Sequence, residues 1–319
     1  MAHLSRALPI TRLGFLQKLA PLVALAVLST VLAILSPTFR TSENLWTVAR
    51  QTAVICIIAI GETFVIIAAG VDLSVGSVTA LTGIVGALCM VKEPNILVGI
   101  LGGVLTGTLC GFLNGFITAC ARMPSFIVTL GMMGIARGAA LILSGGNPIF
   151  DLPKSFLFLG GGDVLGIPFP VILTVCIAIL AHIILTYTRL GRYTYAIGGN
   201  ARAAQLSGIN VSRHLIVVFT LCGLLSGLSG VVLASRTALA APMAGRNYEL
   251  DAIAACVIGG ASLMGGEGAI TGTLIGAFLM SIIRNGCNLL NIDEYWQQVT
   301  IGAIIILAVF YDHLRKRGG

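Results

Sequence analysis

Ten apolar stretches, most of them near the length of a membrane-crossing helix, follow one another along the chain with only short polar breaks. A helix needs about 20 apolar residues to cross the hydrocarbon of a bilayer. In that solvent every backbone amide must also find its partner within the chain. The stretches lie at 19–36, 48–70, 73–91, 95–119, 125–143, 169–187, 215–236, 251–264, 268–284 and 296–312. Composition agrees, because only 10% of the 319 residues are charged, against about 25% in an ordinary soluble domain. The expectation is an all-α integral membrane protein of about ten transmembrane helices in a single domain, residues 1–319. The 251–264 run is short and reads as a broken or re-entrant helix. Forty glycines predict helices packed closely through small residues.

The N-terminus has a basic lead followed by an apolar run, as a signal peptide does. Many more such runs follow, so 19–36 reads as a retained first span. Eight cysteines are scattered singly without a CxxC pair, and the four histidines lie far apart. Neither a metal site nor a disulfide framework is expected from that spacing, and the cysteines read as small buried hydrophobes.

The net charge of +7 invites a nucleic-acid reading, but its distribution argues for membrane orientation. With an even number of spans both termini share one side. Calling that side cytoplasmic gathers Arg6, Arg12, Lys18, Arg122, Arg189, Arg192, Arg202, Arg213, Arg315, Lys316 and Arg317 there. The opposite face keeps fewer bases, Arg284 among them, and balances them with acids such as Glu43, Glu93, Asp151, Asp163 and Asp251. Basic residues concentrate in cytoplasmic loops, so both termini and the loop 188–214 are expected inside, and no nucleic-acid partner is expected.

Two segments echo each other: GVLTGTLCG (103–111) and GAITGTLIG (268–276). They fall in the fourth and ninth spans, which run in opposite directions in this topology. An inverted repeat leaves such an echo, with a pathway at the repeat interface. Chance likeness between two Gly/Thr-rich helices leaves it as well.

Polar residues inside apolar runs are the candidate functional groups. GETFVIIAAGVDLSVG (61–76) carries Glu62 and Asp72. Gly70 is expected at positive φ, ending one helix, with Asp72 as the N-cap of the next. The positive end of the helix dipole favours an anion there, so Gly70, Asp72 and Ser74 read as a structural turn near a pathway. Glu62 stands within a span, where a charge is costly unless paired, hydrated or protonated. Arg137 is its candidate partner, and a pathway-lining role is the alternative. Asn114 in GFLNGFI reads as interhelical packing or as a hydroxyl-binding group. In the basic loop, NARAAQLSG (200–208) reads as a short helix with Asn200 as N-cap and Gly208 closing it. Such a helix suits either the membrane interface or a docking partner.

GVDLSVGSVTALTG, TRLGRYTYAIGGNARAAQLSGINV, YELDAIAACVIGGASLMGGEGAITGTLIGAFL and NGCNLL resemble the permease subunit of bacterial ribose-type ABC importers. The resemblance covers essentially the whole chain in order. It implies a ten-span subunit of the bacterial inner membrane that pairs with a second copy of itself. It also implies a periplasmic sugar-binding protein and a cytosolic ATPase, with ATP and Mg on that ATPase and no cofactor on this chain. The cargo implied is a monosaccharide or a similar small polyhydroxylated solute. Carried over residue by residue, the coupling helix comprises Gly199, Asn200, Ala203, Ala204 and Gly208. Glu62 departs from the ribose permease, where an uncharged residue is expected, which puts ribose itself in question.

An ion-coupled secondary transporter is the alternative, but such proteins place acids or histidines deep in several spans, and here Glu62 stands nearly alone. The chain has no GxxxxGK[ST] loop to cradle ATP phosphates, and no HExxH, GxSxG or paired catalytic acids. It therefore reads as a transport subunit rather than an enzyme.

Overall fold

The computed structural model describes residues 12–92 and 95–317, so the Arg6 and Glu93 of the charge count lie outside the described residues. Among the described residues twelve α-helices account for nearly all of the regular structure. They are α1 (Arg12–Leu35), α2 (Ser42–Ile67), α3 (Val75–Lys92), α4 (Ile96–Cys120), α5 (Ser125–Ser144) and the one-turn α6 (Phe158–Gly161). After them come α7 (Phe169–Tyr187), α8 (Arg189–Leu206), α9 (Val211–Thr237), α10 (Tyr248–Ile258), α11 (Ile270–Leu289) and α12 (Glu294–Arg317). A two-residue hairpin, β1 (Asp163–Val164) with β2 (Ile167–Pro168), precedes α7.

Six of these helices, α2, α4, α5, α7, α9 and α11, are long and apolar enough to cross a membrane. The apolar parts of α1 and α3 are shorter, Ala20–Leu35 and Val75–Val91. Helix α10 has only 11 residues, and α12 carries Glu294, Gln297 and Gln298 in its first turns. Length and composition among the described residues thus count six spans where the sequence suggests ten.

Helix α2 is the axis of the molecule. From Thr52 to Ile67 every residue is buried, as expected of a helix apolar on all sides. Helix α9 lies beside it and is buried over most of Cys222–Ser235. The two are surrounded in matching ways. Helix α3 packs on α4 as α10 packs on α11; α3 and α4 pack on α9 as α10 and α11 pack on α2. Helix α5 packs on α3 as α12 packs on α10. Exchanging α2–α5 for α9–α12 leaves these pairings unchanged.

Glycine makes the closest of these seams possible. A Cβ added to Gly107 would lie 2.6 Å from the Cα of Gly227, and one on Gly223 would lie 2.6 Å from the Cα of Gly111. In the second echo segment Gly276 meets the backbone of Ala255 on α10, and Gly272 that of Gly259, which caps it. Both copies of the TGTL motif therefore serve a helix–helix contact, although against different partners.

The short α10 is tied to α11 by an ion pair, Arg284 Nη2 to Asp251 Oδ2 at 2.7 Å, with Asp251 fully buried. Both residues lie within helices, Asp251 in the first turn of α10 and Arg284 toward the end of α11. After Ile258 the chain leaves helical geometry until Ile270, with Gly260, Gly265, Gly266 and Gly268 at positive φ.

Candidate functional site

Helix α2 ends at Ile67, little more than a turn beyond Glu62. Ala68 and Gly70 donate back to Phe64 and Val65 carbonyls, which closes the helix. The left-handed residue is Ala69, at φ 62°, one position earlier than the glycine expected to supply it. Gly70 is required for a different reason: an added Cβ would sit 3.1 Å from Val65 Cγ1 and 3.2 Å from the ring of Phe219 on α9.

The chain then crosses to α3 through four residues whose amides would be stranded without help, because they belong to neither helix. Each finds a separate side chain. Val71 N–H donates to Ser125 Oγ at 3.1 Å and Leu73 N–H to Thr129 Oγ1 at 3.1 Å, both on α5. Asp72 N–H donates to Glu62 Oε1 at 3.0 Å, and Ser74 N–H to Asp72 Oδ1 at 2.8 Å. A buried amide without a partner costs about 1–3 kcal/mol, so this accounting is what allows a non-helical turn at that depth.

The Asp72 carboxylate acts two residues ahead of Ser74, which itself flanks α3, so it forms an Asx turn rather than the N-cap expected. Ser74 Oγ also donates to Asp72 Oδ1 at 2.6 Å and accepts from Asn114 Nδ2 at 2.9 Å. Asn114 Nδ2 lies 3.4 Å from Asp72 Oδ2. Glu62, Asp72, Ser74 and Asn114 are therefore one cluster drawn from α2, the turn and α4. All four are essentially inaccessible, at 0 or 1% exposure. On the far side of Glu62, Cys222 Sγ of α9 points at Oε2 from 3.8 Å.

Arg137 is not in this cluster. Its guanidinium donates to the carbonyls of Pro242 and Ala244, at 2.7 and 3.0 Å, and so holds the loop between α9 and α10. Pairing by charge is the wrong guide here because Glu62 satisfies a backbone amide instead. Ser125 and Thr129 were legible only as polar residues four apart in an otherwise apolar span, which places them on one helix face.

The second candidate region is α8. Its first part packs on α7, α9 and the end of α2, and Thr194 Oγ1 meets His214 Nε2 of α9 at 2.9 Å. At Asn200 the backbone leaves helical geometry, φ −161° and ψ 98°, and a second short helix begins. Asn200 Oδ1 accepts from Ala203 N–H at 2.9 Å, an N-cap bond. Gly208 at φ 86° closes that helix, with Ile209 N–H donating to Ala204 O at 3.1 Å.

Of the residues assigned to coupling, Gly199, Asn200, Ala203 and Gly208 are exposed, while Ala204 is buried within the protomer. Adjacent helical residues point about 100° apart, so this short helix turns Ala204 toward its own protomer and leaves Ala203 outside. Leu206, 77% exposed, is the large apolar side chain that the outer face presents.

Both buried carboxylates are spent on amides, and among the described residues no group of three metal-ligating side chains converges. The arrangement suits a rigid turn and a projecting helix.

Comparison with known proteins agrees in kind. Residues 44–309 match the family model described as branched-chain amino acid transport system / permease component. The chain is 43% identical over 307 residues to the ribose import permease protein of Escherichia coli (strain K12), covering 95% of this chain and 96% of that protein. It is 44% identical over 305 residues to the ribose import permease protein of Bacillus subtilis (strain 168), covering 95% of each. To the D-allose transport system permease protein of Escherichia coli (strain K12) it is 39% identical over 302 residues, covering 94% of this chain and 93% of that protein. No solved structure matches the chain.

Proposed function

The chain belongs to the branched-chain amino acid transport system / permease component family, and from that premise we propose that it is the transmembrane subunit of an ATP-driven sugar importer. The observation that carries this is near-full-length identity of 39–44% with ribose and allose permeases. A monosaccharide or a similar polyhydroxylated solute is the cargo. Hydrolysis belongs to a separate ABC ATPase carrying ATP and Mg, and delivery belongs to a periplasmic binding protein.

In this reading the subunit lies in the bacterial inner membrane with ten passes, both termini cytoplasmic, and pairs with a second copy of itself amid membrane lipid. The basic residues of α8 support its placement on the cytoplasmic side. The matched surroundings of α2 and α9 support two inverted repeats, α2–α5 and α9–α12.

The roles of the polar residues follow. Gly70, Asp72 and Ser74 form a rigid turn beside the pathway. Glu62 and Asn114 clamp that turn, so substrate choice is left to groups that solute can reach. The outer face of α8, with Gly199, Asn200, Ala203, Leu206 and Gly208, docks into the ATPase, while Ala204 anchors the helix to its own protomer.

Affinity purification of the tagged chain, co-expressed with its ATPase and binding protein, tests this. The ATPase should co-purify in stoichiometric amount and hydrolyse ATP faster when sugar-loaded binding protein is added. Purification of the chain alone under conditions that preserve ABC complexes would overturn the proposal.

A further inference from the structure

Just before its kink, α8 touches the rest of the protein without any side chain in between. A Cβ added to Gly198 would fall onto the carbonyl oxygen of Ile67, the last residue of α2, and lie 2.5 Å from the amide nitrogen of Gly266. That amide is itself bonded to Ile67 O at 2.9 Å. Gly265 and Gly266 both stand at positive φ, which presents their backbone to α8. A Cβ on Gly265 would lie 2.8 Å from Gly198 O and 2.6 Å from Ala69 Cβ. Tyr195, one turn back on α8, donates its hydroxyl to Gly268 O at 2.7 Å. Three backbones thus meet at one point: α8, the end of α2, and the glycine loop that enters α11.

We infer that Gly198 is a positioning residue through which movement of α8 is passed to the α2–α3 turn and to α11 together. The inference rests on the reading of α8 as the ATPase-docking element. Close-packed backbone leaves little slack, since protein interiors are dense and transmit displacement. From Ile67 the path is short: Ala69 makes the left-handed turn, and Asp72 is held by Glu62. On the other branch, Gly268 lies two residues before α11 begins at Ile270. A side chain at position 198 would wedge α8 away from both branches without altering the exposed face that meets the ATPase.

The readout is the number of sugar molecules imported per ATP hydrolysed, measured with the whole complex in proteoliposomes. The probe is whichever of labelled D-ribose or D-allose the wild-type complex imports. Gly198→Ala should keep the ATPase bound but lower this ratio by about tenfold, within the roughly 2- to 30-fold range that mutations along coupling networks produce. Tyr195→Phe, which loses one hydrogen bond and little packing, should lower it by roughly 2- to 5-fold; it decides the matter should Gly198→Ala fail to fold into the membrane.

An unchanged ratio in the assembled variants would overturn the inference. So would loss of the ATPase from Gly198→Ala, because the glycine would then serve docking rather than transmission. A wild-type chain that binds no ATPase would instead sink the reading of α8 on which the inference rests.

Discussion

Replacing Glu62 separates a structural acid from a functional one. In the structure Glu62 Oε1 accepts from Asp72 N–H at 3.0 Å, and Cys222 Sγ stands 3.8 Å from Oε2. Glutamine keeps the Oε1 acceptor and almost all of the volume, so Glu62→Gln should fold and transport nearly as wild type. Leucine fills comparable space but leaves Asp72 N–H stranded in a site with no access to water. One orphaned amide costs about 1–3 kcal/mol, or roughly a 5- to 150-fold loss in the folded-to-unfolded ratio. Denaturation of purified protein in mixed detergent micelles measures this directly, with uptake measured beside it. Glu62→Leu should unfold at clearly lower denaturant and transport poorly for want of folded protein. A Glu62→Gln protein that is stable but inactive would refute the reasoning, because it would show that the charge, and not the acceptor, is what transport needs.

Asp72→Ala should lower stability by about 2–4 kcal/mol through loss of the Ser74 bonds, while Asp72→Asn, which keeps an acceptor, should cost about 1 kcal/mol or less; thermal inactivation in detergent ranks the two. Leu206→Glu should leave the permease in the membrane at normal level but lower ATPase co-purification by roughly tenfold or more, as loss of a central apolar anchor does. Ala204→Glu should instead reduce the amount of folded permease, since it buries a charge inside the protomer. Asp251→Leu alone should cost about 3–5 kcal/mol by stranding Arg284, and adding Arg284→Met should recover most of it; the same denaturation assay reads both.

Much of the architecture is written in hydropathy, because a bilayer permits so few backbone solutions. The turn after α2 was legible too, since a glycine and an acid set between two apolar runs suit a chain reversal and little else. What escaped depends on partners distant in sequence. The positive φ falls on Ala69 rather than Gly70 because close packing against Phe219, invisible in the local sequence, is what demands the glycine. Glu62 invites a search for a cation, yet its partner is a backbone amide, which sequence never displays. Ala203 and Ala204 look equivalent until the packing of the short helix after Asn200 buries one and leaves the other exposed. Gly198 is one of forty glycines, and nothing distinguishes it before the Ile67 carbonyl and Gly266 are seen against it.

The central claim is that sugar crosses this subunit at the expense of ATP hydrolysed on another chain. Its most direct test is uptake into proteoliposomes holding the permease and its ATPase, with sugar-loaded binding protein outside and either ATP or a non-hydrolysable analogue trapped inside. The account predicts uptake with ATP alone, unchanged when ionophores collapse proton and sodium gradients. Uptake that proceeds with the analogue, or without the ATPase, and stops when the gradients collapse would contradict it and make the chain an ion-coupled transporter.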